Sequence, residues 1–173
     1  IELTLSLPYL LLGLSLLIMF SSPAGKWLKE QGFKVVFSPA GIVMAHILVN
    51  LPYAIRLIRT AFEASDQRME FIALTLGASP WRCFLTILLP LCRRSLVSTF
   101  ILTWSRALGE FGATLMLVGI TRFKTETLPG SIYLSISTGD NQAAMATAML
   151  MLIISGLTLF LSRLLASPAD RNK

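Results

Sequence analysis

Four apolar stretches, each about as long as a bilayer is thick and parted by clusters of charge, constrain this chain more than any other feature. The first runs from about Leu3 to Phe20, carries no charge and holds Pro8 and Gly13. The second runs from Pro39 to about Ile55; Pro39 suits a first helical turn, and Pro52 is expected to kink the far end. The third, from about Ser95 to Ile120, contains two charges, Arg106 and Glu110. The fourth, Ala143 to Leu161, is charge-free and rich in Met and Leu. A helix crossing a ~30 Å hydrocarbon core needs about 20 apolar residues, and its backbone must be satisfied internally. The expected fold is therefore all-α, a polytopic transmembrane helical bundle, with residues 1–173 as a single domain. Composition agrees. Of 173 residues 54% are hydrophobic and 14% charged, where soluble domains carry roughly a quarter charged. That argues against a water-soluble enzyme and leaves too little polar sequence for a separate soluble domain.

The net charge of +6 has meaning only relative to the bilayer. The connection between the second and third stretches carries Arg56, Arg59, Arg68, Arg82, Arg93 and Arg94, and the tail adds Arg163, Arg171 and Lys173. The opposite side receives Lys26, Lys29, Lys34, Arg122 and Lys124. Nine against five places the central loop and the C-terminus in the cytoplasm, and four spans put the N-terminus there too.

The central loop, Arg56 to Arg94, is too polar to span and too patterned to be disordered. Phe62, Met69, Phe71, Ile72, Leu74 and Leu76 recur among charges at roughly helical spacing. Gly77-Ala78-Ser79-Pro80 reads as a helix stop followed by a new start. Trp81, Phe84, Leu85, Ile87 and Leu88 then resume the pattern up to Leu89-Pro90. The spacing predicts two short helices meeting at a glycine turn beneath the membrane, a compact knob for a partner. An amphipathic helix lying in the interface without a partner is the plainer reading.

The run from Asp66 to Ser79, followed by Ile87-Leu88-Leu89-Pro90, resembles the EAA loop of membrane subunits of binding-protein-dependent ABC importers. Gly77, Ile87, Leu89 and Pro90 match that pattern in register, and Ala73 matches its second alanine. Phe71 and Ile72 stand where the pattern has an acidic residue and alanine, with Glu70 next door. The resemblance implies a loop, residues 62–90, that docks on a cytoplasmic ATPase through Glu70, Ala73, Gly77, Ala78, Ile87, Leu89 and Pro90. The chain has no G-x-x-x-x-G-K-[ST] phosphate loop. It is thus not an ATPase by that route; it needs no cofactor of its own, and ATP and Mg belong to the partner.

The third stretch holds Trp104-Ser105-Arg106-Ala107-Leu108-Gly109-Glu110-Phe111-Gly112-Ala113-Thr114. A charge near mid-bilayer costs about 2.5–3.5 kcal/mol on insertion scales. Arg106 and Glu110 stand at i and i+4, able to meet on one helix face. Such pairs contribute only about 0.2–0.5 kcal/mol, and Arg-then-Glu is the poorer order. That face is expected to point into protein or a wet cavity. Ser105, Gly109 and Ala113 form a neighbouring stripe of small residues that lets another backbone approach. Two roles stay open for Ser105, Arg106, Gly109, Glu110 and Thr114: a structural helix interface, or the lining of a path.

The A-L-G-E-F-G-A-T run, Ala107 to Thr114, and the T-L-P-x-x-I-Y run, Thr127 to Tyr133, resemble the molybdate permease subunits of ABC importers over nearly the whole chain. Sulfate and tungstate permeases carry related versions. The resemblance implies a pathway of two identical copies for a tetrahedral oxyanion, molybdate first and tungstate next. An extracytoplasmic substrate-binding protein would deliver the anion, and an ATPase dimer would drive alternating access. Such subunits usually extend further at the N-terminus by at least one span, so the chain is expected to be either a truncated or a shortened member. Hydroxyls of Thr103, Ser105 and Thr114 and helix amides are expected to hand the anion on weakly, leaving high affinity to the binding protein.

The remaining features read blandly. His46 and Asn50 share a face and suit packing hydrogen bonds. The Met residues are apolar filler, and Lys26, Lys29 and Lys34 suit a solvated loop. Cys83 and Cys92 lack zinc spacing. No metal, nucleophile or acid–base constellation and no nucleic-acid partner is expected; membrane lipid is the surrounding medium. The rival classes are a membrane protein whose loop binds another cytoplasmic partner, and a secondary transporter. The latter usually shows internal repeats and more intramembrane ionisable groups.

Overall fold

The computed structural model describes residues 9–65 and 67–165. Among them every regular element is helical. The chain opens with α1 (Tyr9–Ser21) and α2 (Pro23–Glu30), joined at a 67° bend. There follow α3 (Pro39–Glu63), α4 (Gln67–Thr75) and α5 (Pro80–Leu108). Then come α6 (Gly112–Val118), α7 (Leu128–Ser137) and α8 (Asn141–Leu165). Three helices, α3, α5 and α8, are long and apolar enough to cross a membrane, and the bent α1–α2 pair makes a fourth crossing if read as one span. Only 11% of the apolar window of α5, and the same share of α8, is buried within the chain. That much outward apolar surface fits lipid or another membrane chain, not water.

Local signals set the helix starts. Ser38 caps α3, its side chain accepting from the Gly41 N–H at 3.3 Å, with Pro39 in the first turn. Ser79 and Pro80 repeat the device on α5, and Thr127 caps α7. The expected end of the second span near Ile55 is corrected: α3 runs through Pro52 to Glu63, 25 residues and about 37 Å. Pro52 removes the donor for one upstream carbonyl, a local loss that a helix packed on neighbours absorbs.

The expectation of two short helices beneath the membrane is corrected in its second half. The segment from Pro80 to Leu89 is the base of α5, one 29-residue helix about 43 Å long. Pro90 does not interrupt it. A wider turn over Phe84–Leu88 precedes the proline, with the Leu89 N–H reaching back to the Phe84 carbonyl. Such a π turn re-spaces the carbonyls that Pro90 would otherwise crowd.

The third apolar stretch is corrected as well: it is two helices, not one. α5 stops at Leu108, where the Gly109 and Glu110 N–H groups close back on Arg106 and Ala107 carbonyls at 3.2 and 3.0 Å. A separate seven-residue helix, α6, then completes the rise. The stretch after it, expected to be a plain connection, contains α7, which packs on α8.

The core gathers Leu16, Val35, Ala45, Val49, Ala113, Leu117 and Val118. It lies where α1 and α3 clasp α6. α1 and α6 meet backbone to backbone at Gly13, where a Cβ would stand 2.6 Å from the Ala113 Cα. Only glycine lets those two backbones meet.

Candidate functional site

The long helix α5 carries a candidate site at each end. At its base, α4 ends at a left-handed glycine, Gly77 with φ +87°, and the chain re-enters a helix at Pro80. The small core beneath the turn is Ala73 and Cys83, both buried, with Phe84 stacked on Trp81 at 5.7 Å and tilted against Phe62 at 5.9 Å. The Cys83 thiol points to the Glu70 carbonyl at 3.9 Å. Of the residues expected to couple, Gly77, Leu89 and Pro90 are exposed, Glu70, Ala78 and Ile87 are half-buried, and Ala73 faces inward. Asp66, at the front of the motif, lies outside the described residues. The outward surface is instead apolar: Phe71 is 69% exposed, Leu76 82% and Trp81 70%. These residues were not singled out as contacts. Their signal was their place opposite Ala73 and Cys83 on amphipathic turns.

At the top of α5 the expected meeting of Arg106 and Glu110 does not occur. Their i, i+4 spacing loses its meaning because the helix ends between them. Glu110 is 6% exposed and turns forward, its Oε1 accepting from the Ala113 N–H at 2.9 Å at the start of α6. This satisfies one of the donors that a helix start leaves free. Arg106 is exposed and stacks elsewhere. Its Cζ lies 4.8 Å from the ring centroid of Tyr53 on α3 and 5.4 Å from that of Tyr9 on α1. Both aromatic contacts escaped the sequence reading, because they join residues far apart in the chain.

Tyr53 follows Pro39 by 14 residues, about 21 Å along α3, and precedes Arg56 by less than one turn. The guanidinium thus sits beside the middle of the 25-residue α3. A cavity of about 540 Å³ opens beside it, lined by Tyr9, Arg106, Gly109, Glu110 and Phe111. The two sequence runs that set this chain apart meet here: Phe111 packs on Tyr133 of α7, ring centroids 5.5 Å apart.

Polar groups follow the same seam. Ser105 lies 3.2 Å from the Thr158 hydroxyl of α8, a hydrogen bond that ties α5 to α8. The small-residue stripe is thereby split: Ser105 faces α8, and Ala113, beyond the break, faces α1. Asn50 donates to the His46 carbonyl at 2.9 Å. Among the described residues His46 Nε2, Asn50 Oδ1, Ser98 Oγ, Thr103 Oγ1 and Thr114 Oγ1 are buried with no hydrogen-bond partner. Orphaned buried groups of this kind cost about 1–3 kcal/mol each. Among the described residues no group of three His, Cys, Asp or Glu side chains could hold a metal ion.

Long apolar helices in this arrangement make the chain a multi-pass protein of the inner or plasma membrane. The chain belongs to the binding-protein-dependent transport system inner membrane components, whose family profile matches residues 1–169. Similar proteins include the molybdenum transport system permease protein ModB of Mycobacterium tuberculosis. It is 37% identical over 159 residues, 91% of this chain and 60% of its own length. ModB of Escherichia coli is 37% identical over 166 residues, 90% of this chain and 72% of the relative. The sulfate transport system permease protein CysT of Escherichia coli is 34% identical over 161 residues, 92% and 58% respectively. The chain thus spans only about three fifths of the mycobacterial relative it matches.

Proposed function

We propose that this chain is the pathway-forming subunit of an ABC importer for a tetrahedral oxyanion, molybdate first and tungstate next. One observation carries the substrate: 37% identity over nine tenths of the chain to relatives named for molybdenum transport. Sulfate is the second reading, supported by the likeness to CysT. As a component of a binding-protein-dependent system, the subunit works with an extracytoplasmic binding protein and a cytoplasmic ATPase. Two copies form the pathway, because the spans of one chain enclose too little space.

The geometry supports a division of labour along α5. The apolar knob of Phe71, Leu76 and Trp81 at the Gly77 turn is the surface offered to the ATPase. Because α5 is continuous from Pro80 to Leu108, displacement at that turn is carried about 43 Å to the helix break without a hinge. The break is where the path would open and close. Its donors, Ser105, Thr114 and the single Arg106, are too few to trap a dianion, which suits a subunit that must release its cargo.

The test is uptake by the complex of this subunit, its ATPase and its binding protein in proteoliposomes. Each of labelled molybdate, tungstate and sulfate is offered alone and in competition. ATP-dependent uptake of molybdate that tungstate competes and sulfate does not is the expected result. Uptake of sulfate alone would move the assignment to the second reading, and uptake of none would remove it.

A further inference from the structure

We propose that Arg106, presented by Tyr9 and Tyr53, is a transient hydrogen-bonding station for the oxyanion on the pathway. The inference rests on the oxyanion reading above. Two rings, from α1 and α3, lie 5.4 and 4.8 Å from the guanidinium carbon. Cation–π contact sets the charge over the face of each ring and supplies no acceptor to the five N–H donors of the guanidinium. Among the described residues the Arg106 guanidinium makes no ion pair or hydrogen bond. Its side chain is exposed beside the 540 Å³ cavity. That volume is many times the ~30 Å³ share of one water, so it admits a tetrahedral anion with part of its hydration shell.

Orientation by aromatic rings has a consequence that a carboxylate partner would not. A carboxylate would fill the donor edge and cancel the charge. Rings hold the charge and leave the N–H fork without a competing carboxylate, the arrangement suited to two parallel N–H···O contacts with a tetrahedral oxyanion. Glu110 lines the same cavity, but its Oε1 is engaged by the Ala113 N–H. A nearby carboxylate repels the dianion and keeps the stay short. Position adds a second link. Arg106 rides the top of α5, whose base is the coupling turn, while its two tyrosines belong to other helices. Movement of α5 therefore shifts the guanidinium against its rings, and the station changes with the stroke.

The experiment uses the full reconstituted complex with molybdate, comparing Arg106→Gln, Tyr53→Leu and Tyr53→Phe for uptake and for ATP hydrolysis stimulated by the binding protein. Arg106→Gln is expected to lower uptake about tenfold, the scale of one lost charge-assisted contact, with hydrolysis within about twofold of the parent. Tyr53→Leu is expected to follow it part way, and Tyr53→Phe, which keeps the ring, to restore the parent value. Unchanged uptake in Arg106→Gln would overturn the proposal. So would uptake and hydrolysis falling together, which is the mark of a purely structural latch. A defect that rises and falls with the anionic phospholipid content of the liposomes would assign the guanidinium to a headgroup phosphate instead. If the parent complex moves no oxyanion at all, the function itself fails; if the parent transports and only the variants disagree, this inference alone fails.

Discussion

Arg59–Glu63 and Arg106–Glu110 share one spacing and one order, and they end differently. On α3 the helix continues beneath the pair, and Arg59 Nε meets Glu63 Oε1 at 2.7 Å on an exposed face. On α5 the helix stops at Leu108, so Glu110 turns away to cap α6 and Arg106 finds two aromatic rings. Helical spacing specifies a neighbour only while the helix lasts. The breaker is not the residue usually blamed either. Pro52 and Pro90 both lie inside helices that pass through them, whereas the break falls at Gly109. A proline removes one bond, and packing can absorb that. At Gly109 the following residues gain more elsewhere: a capped second helix and a backbone contact between α6 and α1.

The comparison can be broken most severely through that contact. Gly13→Leu would drive a side chain into the Ala113 backbone, 2.6 Å from where even a Cβ would stand. We expect a loss of about 3 kcal/mol or more, the upper end for overpacking. Thermal melting of the detergent-solubilised chain reads it, and a stable variant would show that α6 is held by something else.

Gly77→Val comes next and separates the two glycine stops. A Cβ at Gly77 meets nothing within 4 Å, so the strain comes from φ +87° alone, about 1–3 kcal/mol for a β-branched residue. The damage should be local to the coupling turn: uptake per ATP falls severalfold while the amount of assembled complex holds. Gly109→Ala is the control. Its φ is −85° and the nearest atoms to a Cβ are 3.6 and 3.8 Å away, so both coupling and melting should be kept.

Glu110→Ala removes the acceptor of the Ala113 N–H and should cost about 1 kcal/mol, the usual size of a lost helix cap. Glu110→Gln should recover most of that loss, since an amide oxygen still accepts. A melting shift as large in the Gln variant as in the Ala variant would count against the capping role.

The smallest effect belongs to the pair that looks best on paper. Arg59 and Glu63 are both well exposed, and a solvent-screened pair at this spacing contributes little. Glu63→Ala should leave the melting curve superimposable on the parent's. A clear destabilisation would mean that the base of α3 is covered in the working complex.

Much of the fold was legible because lipid imposes one rule on every span: apolar residues outward and backbone satisfied within the helix. Spans two and four fall inside α3 and α8, and Gly77 sits in the left-handed turn that its place between two amphipathic runs required. The site was legible in part. Composition picked out Arg106 and Glu110 as costly in lipid, but not what they touch. The outward face of the Gly77 turn was missed for a related reason. Matching to a motif drew attention to Glu70 and Ala73, while exposure belongs to Phe71, Leu76 and Trp81.

By itself the sequence determined that long apolar helices alternate with charged connections, that Pro39 sits in the first turn of one of them, and that Gly77 to Pro80 stops one helix and starts the next. Each of these follows from neighbours within a few residues, or from the bilayer, which acts alike on every chain. Only the tertiary structure decided that α5 runs unbroken through Pro90 and then stops at Gly109, and that Arg106 lies between Tyr9 and Tyr53. Those outcomes turn on packing between residues tens of positions apart, where contacts of about 1 kcal/mol on each side decide which local preference survives.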